Sequence, residues 1–320
     1  MNASIIVCTR NRATSLDTTL ETLRRVSIPS GLNAEIVVVD NGSSDQTRDV
    51  VGKHSEGKIQ VKYVSEPTPG LCRARNAGTT ASDGELIFFA DDDIVPQPDW
   101  ISHLAAPLVS NRFDGVVGRI QLGEELSRPW LTRQHKVSLA VYEFPEYAPL
   151  QLVGANMGFR REVLQKIPQF DAELDAGALG YAGDTLFSWQ MTEAGYQLKY
   201  VPEATVIHHP DQSRLVRSSW LSSGRKHGSS MAYLLHHWFH EAIPSPRLLY
   251  YYFGLKLRLR RMLQPQGLFE SEGAAPWEMS YICEMEKCRQ FTIERRRPRN
   301  YSKRGLCKRT QSPSSSASLS

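Results

Sequence analysis

The sequence predicts an α/β fold, an open and mostly parallel sheet flanked by helices, on three observations. Short β-branched runs alternate with longer amphipathic stretches through the first third of the chain, the pattern of parallel strands joined by crossover helices. Three of those runs end in polar residues, at the edge where open sheets bind ligands. At 320 residues, 41% of them hydrophobic, the chain buries an ample core without disulfide or metal staples.

Ser4 to Cys8 reads as a buried strand, and Leu16, Leu20 and Leu23 follow at helical spacing. Ile36 to Val39 is a second strand, leading through the polar turn Asp40-Asn41-Gly42-Ser43-Ser44-Asp45 into another helix. Ile59 to Val64 and Leu86 to Ala90 make a third and fourth, the latter ending in Asp91-Asp92-Asp93, and Val116 to Leu122 a further one. Residues 123–150 are rich in Pro, Glu and aromatics without a period and read as a functional loop. Then come a strand ending near Phe159, a helix from Arg161, a glycine-rich turn at 177–183, a helix from Asp184 to Ala194, and strands near Leu198 and Val206. The terminal SPSSSASLS has a disordered composition.

No apolar run approaches the roughly 20 residues that span a bilayer. The opening MNASIIVCTR enters a strand with no signal-like apolar region, so the expectation is a cytoplasmic protein. Five cysteines without a C-x-x-C pair argue against a disulfide framework or zinc knuckle. The net charge of +4 is unevenly spread: residues 287–309 carry +9 and residues 247–261 carry +5, which leaves the rest at −10.

A strand end fixes Asp91 and Asp93 near one point, and hard divalent cations such as Mg²⁺ or Mn²⁺ take such oxygens together with substrate phosphates. A solvated acidic turn gives the same string. Neither G-x-G-x-x-G after the first strand nor G-x-x-x-x-G-K-[ST] occurs, so a nucleotide is held otherwise. Asp40, at the end of the second strand, suits a ribose or base, and Arg73 and Arg75 suit phosphate. A turn or helix cap for Asp40 and a solvated helix face for the arginines are the plainer readings.

Seven blocks in order resemble family 2 glycosyltransferases. They are Ile5 to Arg12, Val37 to Asp45, Pro69-Gly70-Leu71 with Ala74 to Gly78, Phe88 to Asp93, Gly154 to Arg161, Glu193 to Tyr196, and Pro202-Glu203-Ala204 with His208. The resemblance covers residues 3–210 and implies a GT-A fold, a nucleotide-sugar donor such as a UDP- or GDP-sugar, and a divalent metal. It implies that Thr9, Arg10, Asn11, Asp40, Arg73, Arg75, Asn76, Asp91 and Asp92 bind the donor, with Asp91, Asp93 and His208 at the metal and His209 a close alternative to His208. An inverting transfer needs a base for the acceptor hydroxyl, and the resemblance points to Asp184, whose Glu neighbour in the family is here Gly183. Asn156 and position 183 fall on the acceptor side. A helix N-cap is the competing role for Asp184, and a histidine closing a strand that for His208.

The implied organisation is a donor half at 1–122, an acceptor and catalytic half at 123–212, a helical, membrane-associating extension at 213–263 and a basic, partly disordered tail at 264–320. Arg217-Ser218-Ser219-Trp220 is not the Q-x-x-R-W of processive synthases, so one sugar is transferred to a saccharide or lipid-linked acceptor, in cell-surface polysaccharide or glycoconjugate synthesis. Arg225-Lys226-His227 offers cations to a diphosphate or ends a solvated helix. Leu248 to Met262 interleaves Leu and aromatics with four cations, as an interfacial helix on an anionic inner membrane face does, and as a core helix with snorkelling arginines does. The Arg295 to Arg304 cluster comes without a stacking module or zinc pattern, which disfavours nucleic acid. Two other classes remain: a haloacid-dehalogenase-type phosphohydrolase, in which D-x-D would end the first strand rather than the fourth, and an idle glycosyltransferase-like binding protein.

Overall fold

Strands β1 (Asn2–Thr9), β2 (Asn33–Asp40), β3 (Gln60–Ser65) and β4 (Leu86–Asp91) pair in parallel, in the order β3-β2-β1-β4, in a computed structural model that describes residues 1–143, 150–167, 169–265 and 271–309. Side chains alternate along each strand. Ile5, Val7, Ile36 and Val38 therefore face helix α1 (Ala13–Leu23), which buries Leu16, Leu20 and Leu23, while Ile6, Val37 and Val39 face α3 (Leu71–Ala81). Each fully buried Leu or Ile contributes about 1.5–3 kcal/mol. A side chain at Gly78 would meet Ile6 Cγ2 at 2.5 Å, so α3 lies directly on β1. Helix α2 (Thr47–Lys53) completes this half.

The other half departs from a parallel sheet. It contains β5 (Ile94–Pro96), β6 (Gly115–Leu122), β7 (Asn156–Arg160) and β8 (Leu198–His208), in the order β7-β6-β8-β5 beyond β4. Strand β7 runs antiparallel to both neighbours, β5 is antiparallel to β8, and only β6 and β8 are parallel. The strands expected separately near Leu198 and Val206 are one, because a bulge against β6 absorbs the Pro202 region. The helix expected from Arg161 is a single 3-10 turn, Arg161–Gln165. Helix α4 (Trp100–Val109), not assigned from the sequence, buries six of its ten residues, with Trp100, Ile101, Leu104, Ala105 and Leu108 at helical spacing and Pro107 inside it.

The loop at 123–150 contains a turn at Glu124–Leu126 and helix α5 (Arg133–Ser138), and its residues 144–149 lie outside the described ones. Helix α6 (Gly183–Glu193) starts one residue before Asp184. Beyond β8 come α7 (Arg217–Leu234), α8 (Pro246–Leu263) and α9 (Pro276–Glu294). The segment read as a basic tail thus holds a 19-residue helix packed between α7 and α8. Residues 300–309 return to the segment around 171–173. Tyr301 donates to Asp171 at 2.6 Å, Lys308 binds both Asp171 and Glu173, and Asn300 binds Glu173. The serine-rich end falls outside the described residues.

Candidate active site

Strand geometry divides the acidic triplet. Asp91, the last residue of β4, and Asp93 line a cavity of about 1130 Å³, while Asp92 points back to β1, accepting from Thr9 Oγ1 at 2.7 Å. His208, the last residue of β8, meets the first two from the far side of the sheet. One ligand atom from each of Asp91, Asp93 and His208 lies within 4.8 Å of the others.

His208 Nδ1 donates to the Leu139 carbonyl at 2.9 Å, which turns Nε2 toward Asp93 Oδ1, 3.1 Å away. That buried Oδ1 has no hydrogen bond of its own. The space between the two takes either a second proton, giving an imidazolium, or a cation held by the three ligand atoms. A carbonyl fixing the other ring nitrogen is the outer-shell support that metal-binding histidines use, so the donor set fits a divalent ion. Burial, helped by Asp93, raises Asp91 above the ordinary carboxylate range. Asp93 goes the other way: burial is outweighed by the adjacent His208 and by Arg12, which bring it down to about 2. His208 is raised, burial being outweighed by Asp93 and Asp91.

Arg12, which sequence reasoning left without a role, bridges Asp92 at 2.9 Å and Asp93 at 2.6 Å. It closes the Ile5 to Arg12 block, and that position is the signal from which a role could have been read. Burial lifts Asp92 to about 6 against the pull of Arg12. Thr9, Asp92 and Arg12 form a latch behind Asp91, Asp93 and His208.

The other expected donor residues divide. Asp40 accepts from the Ser43 amide at 2.8 Å and from Tyr63 Oη at 2.8 Å, so its turn role is present. Asn11, at φ 54°, accepts from the Ser44 amide, tying the ends of β1 and β2 together. Thr9, Arg10, Asn11 and Asp40 do not line the large cavity. Arg10 and Arg73 are exposed. Arg75 is not on a solvated helix face: it is 4% exposed, bound to Asp175 at 2.7 Å, and lines the cavity. Asn76 holds the Phe170 backbone through both amide atoms.

On the acceptor side the structure moves two expectations. Asn156 is fully buried and outside the cavity, accepting from Trp100 Nε1 and donating to the Arg119 and Ala204 carbonyls. Gly183 is buried too, and a side chain there would meet Asp175 Oδ2 and Cys72 Sγ at 2.4 Å, leaving no room for a glutamate on this backbone. Asp175, missed in the sequence, organises the region. It lies at φ 66°, accepts from the Gly183 amide at 2.7 Å and holds Arg75.

Asp184 lines the cavity that Asp91 and Asp93 line. Among the described residues its oxygens accept only backbone amides, from Gly154 at 3.0 Å and Thr185 at 2.8 Å, which orients the carboxylate and leaves lone pairs for a proton. Burial, then the charge of Asp175, raises its pKa, the direction that suits a general base. Of the cations expected beyond β8, His227 lines the cavity, whereas Lys226 packs over Gly180 and Arg225 is exposed.

The sequence profile described as Glycosyl transferase family 2 matches residues 4–168, just over half the chain. Validoxylamine A glucosyltransferase of Streptomyces hygroscopicus subsp. jinggangensis is 30% identical over 171 residues, 53% of this chain and 38% of that protein. The succinoglycan biosynthesis protein ExoM of Rhizobium meliloti is 27% identical over 244 residues, 74% of this chain and 77% of that one. With the pre-mycofactocin glycosyltransferase of Mycobacterium tuberculosis the match spans 47% of the relative, so this chain covers under half of several proteins it resembles. Among solved structures, the mannosyltransferase PcManGT from Pyrobaculum calidifontis, in complex with GDP-Man and Mn²⁺, aligns with a TM-score of 0.55 at 19% identity, over 89% of this chain and 68% of that one. GalNAc-T7 with UDP, GalNAc and Mn²⁺ aligns with a TM-score of 0.53 at 18% identity, over 80% and 51%. The fold is of the GT-A type, and with its profile match running from β1 through the acidic triplet into the 3-10 turn after β7, the chain belongs to glycosyl transferase family 2.

Proposed function

We propose that the chain is a metal-dependent, inverting glycosyltransferase that moves one sugar from a nucleoside-diphosphate sugar to a saccharide or lipid-linked acceptor, in cell-surface polysaccharide or glycoconjugate synthesis. The observation that carries the reading is that Asp91, Asp93, His208 and Asp184 line one cavity. The similarity to the succinoglycan biosynthesis protein ExoM, and to PcManGT with its GDP-Man and Mn²⁺, supports polysaccharide synthesis and a sugar nucleotide with a divalent ion. Residues 1–122 would serve mainly the donor and 123–212 the acceptor.

Asp91, Asp93 and His208 would hold the divalent ion, which when bound offsets charge on the departing diphosphate. Asp184 takes the acceptor hydroxyl proton onto its free lone pair while that oxygen bonds to the sugar C1, and the C1–O bond to the nucleoside diphosphate breaks on the opposite face. Gly154 and Thr185 hold the carboxylate in position, so part of the rate comes from orientation. Arg12 keeps Asp92 and Asp93 paired until the donor arrives.

Thermal shift against a panel of UDP- and GDP-sugars with Mn²⁺ tests the reading. A cognate donor raises the melting temperature by mass action, EDTA and Asp93→Asn remove the rise, and nucleoside diphosphate release follows turnover. Phosphate release from simple esters, or no shift with any donor, ends it.

A further inference from the structure

Helix α8 is amphipathic with its apolar side turned outward. Leu248, Tyr251, Met262 and Leu263 are at least 70% exposed, and Leu255 and Leu259 at least 50%. At 3.6 residues per turn these six fall within an arc of about 120°. Leu257 on the opposite face is buried, and α8 packs principally on α9, with Arg260 over the Trp277 ring and Arg261 bound to Glu278. The sequence left open whether this helix is a core element with snorkelling arginines. It is not, because the leucines that a core would cover are the ones left uncovered.

Cations border the stripe on both sides. By helical position Arg247 and Arg258 lie along one edge and Lys256 and Arg260 along the other, and no acidic residue occurs between 242 and 269. Arg247 and Arg258 have no ion-pair partner among the described residues. An exposed apolar stripe of this size marks an interaction site rather than ordinary surface. A second copy of α8 would bring the same cations against themselves, whereas lipid headgroups of opposite charge satisfy them.

We propose that α8 docks the protein onto an anionic lipid surface, lying in the interface with Leu248, Tyr251, Leu255, Leu259, Met262 and Leu263 among the acyl chains and the flanking cations at the headgroups. Helix α9 carries α8 on one side through Trp277, Tyr281 and Met285 and gives Met279, Ser280 and Cys283 to the cavity wall on the other. Helices α9 and α8 together, about 20 Å across at roughly 10 Å each, therefore separate the lipid face from the cavity.

The test is co-sedimentation of the full chain with vesicles of phosphatidylcholine containing phosphatidylglycerol and with pure phosphatidylcholine. The expected result is binding to the anionic vesicles that weakens with salt and falls about tenfold or more in Leu255→Asp/Leu259→Asp. Those positions are exposed, and the thermal melt of the variant checks the fold; Arg247→Gln/Arg258→Gln lowers binding by removing charge alone. No binding to anionic vesicles overturns the proposal. So does binding that both variants leave unchanged, or a concentration-dependent dimer in sedimentation velocity that Leu255→Asp/Leu259→Asp abolishes.

Discussion

Two aspartates nine residues apart do opposite work beside the cavity. Asp175 spends its oxygens on Arg75, Cys72 and the Gly183 amide, whereas Asp184 keeps lone pairs free and is raised by burial and by Asp175. For the base role, Asp184→Asn lowers kcat by roughly 10²–10⁴-fold with donor affinity retained, measured by nucleoside diphosphate release and donor-induced thermal shift. A base acts ionised, so kcat/KM rises with pH through the raised pKa of Asp184, and its acid limb lies above the ordinary carboxylate value of 3.8. Gly183→Glu restores the family residue and destabilises the protein through the contacts with Asp175 and Cys72, an effect read in the melting temperature. Asn156→Ala strands Trp100 Nε1 and two carbonyls and costs roughly 3 kcal/mol or more in urea unfolding, at about 1–3 kcal/mol for each buried group left unpaired. The residue-level site was legible where a motif ends a strand, as with Asp91, Asp93 and His208. The pairing of Arg75 with Asp175 and the burial of Asn156 were not legible, because the partners are distant in sequence.

Strands β1, β2 and β4 announce themselves because each is a run of β-branched or aromatic residues buried on both faces. Helix α9 does not, since its buried residues include Glu278, Gln290 and Glu294, which read as surface until their partners are known. Glu278, 1% exposed, holds Arg217 of α7 and Arg261 of α8. Removing one side of a buried ion pair costs about 3–5 kcal/mol, so Glu278→Gln should lower unfolding free energy by about that amount. His135 joins α5 to the same layer through the Ala274 carbonyl and the rings of Trp130 and Trp220. Burial depresses its pKa below the ordinary 6.5. Below 6.5 the unfolded chain therefore takes a proton that the folded chain refuses, and stability falls as pH falls through that value. Thermal melts between pH 7.5 and about 5 check this, and a melting temperature flat across that window contradicts it.

Across the whole molecule, the parallel half was readable from alternation of element types, while the mixed half was hidden by the reversal of β7 and the bulge in β8. The charge asymmetry was readable as well, but its meaning was not. Of the basic residues from 287 onward, Arg297 and Lys308 are counter-ions for Asp171, Glu173 and Glu294, and no tail in the sense expected begins at 264. Lys308 reaches Asp171 across 137 positions, and Tyr301 reaches it across 130. Asp171 and Glu173 sit just before the loop that carries Asp175 and Asp184. Contacts so distant in sequence form late. The loop that carries Asp184 is therefore completed late in synthesis: Glu173 gains Arg297 first, and only when residue 308 has been made does buried Asp171 gain Lys308, so a product stopped earlier leaves that carboxylate beside the loop without this partner.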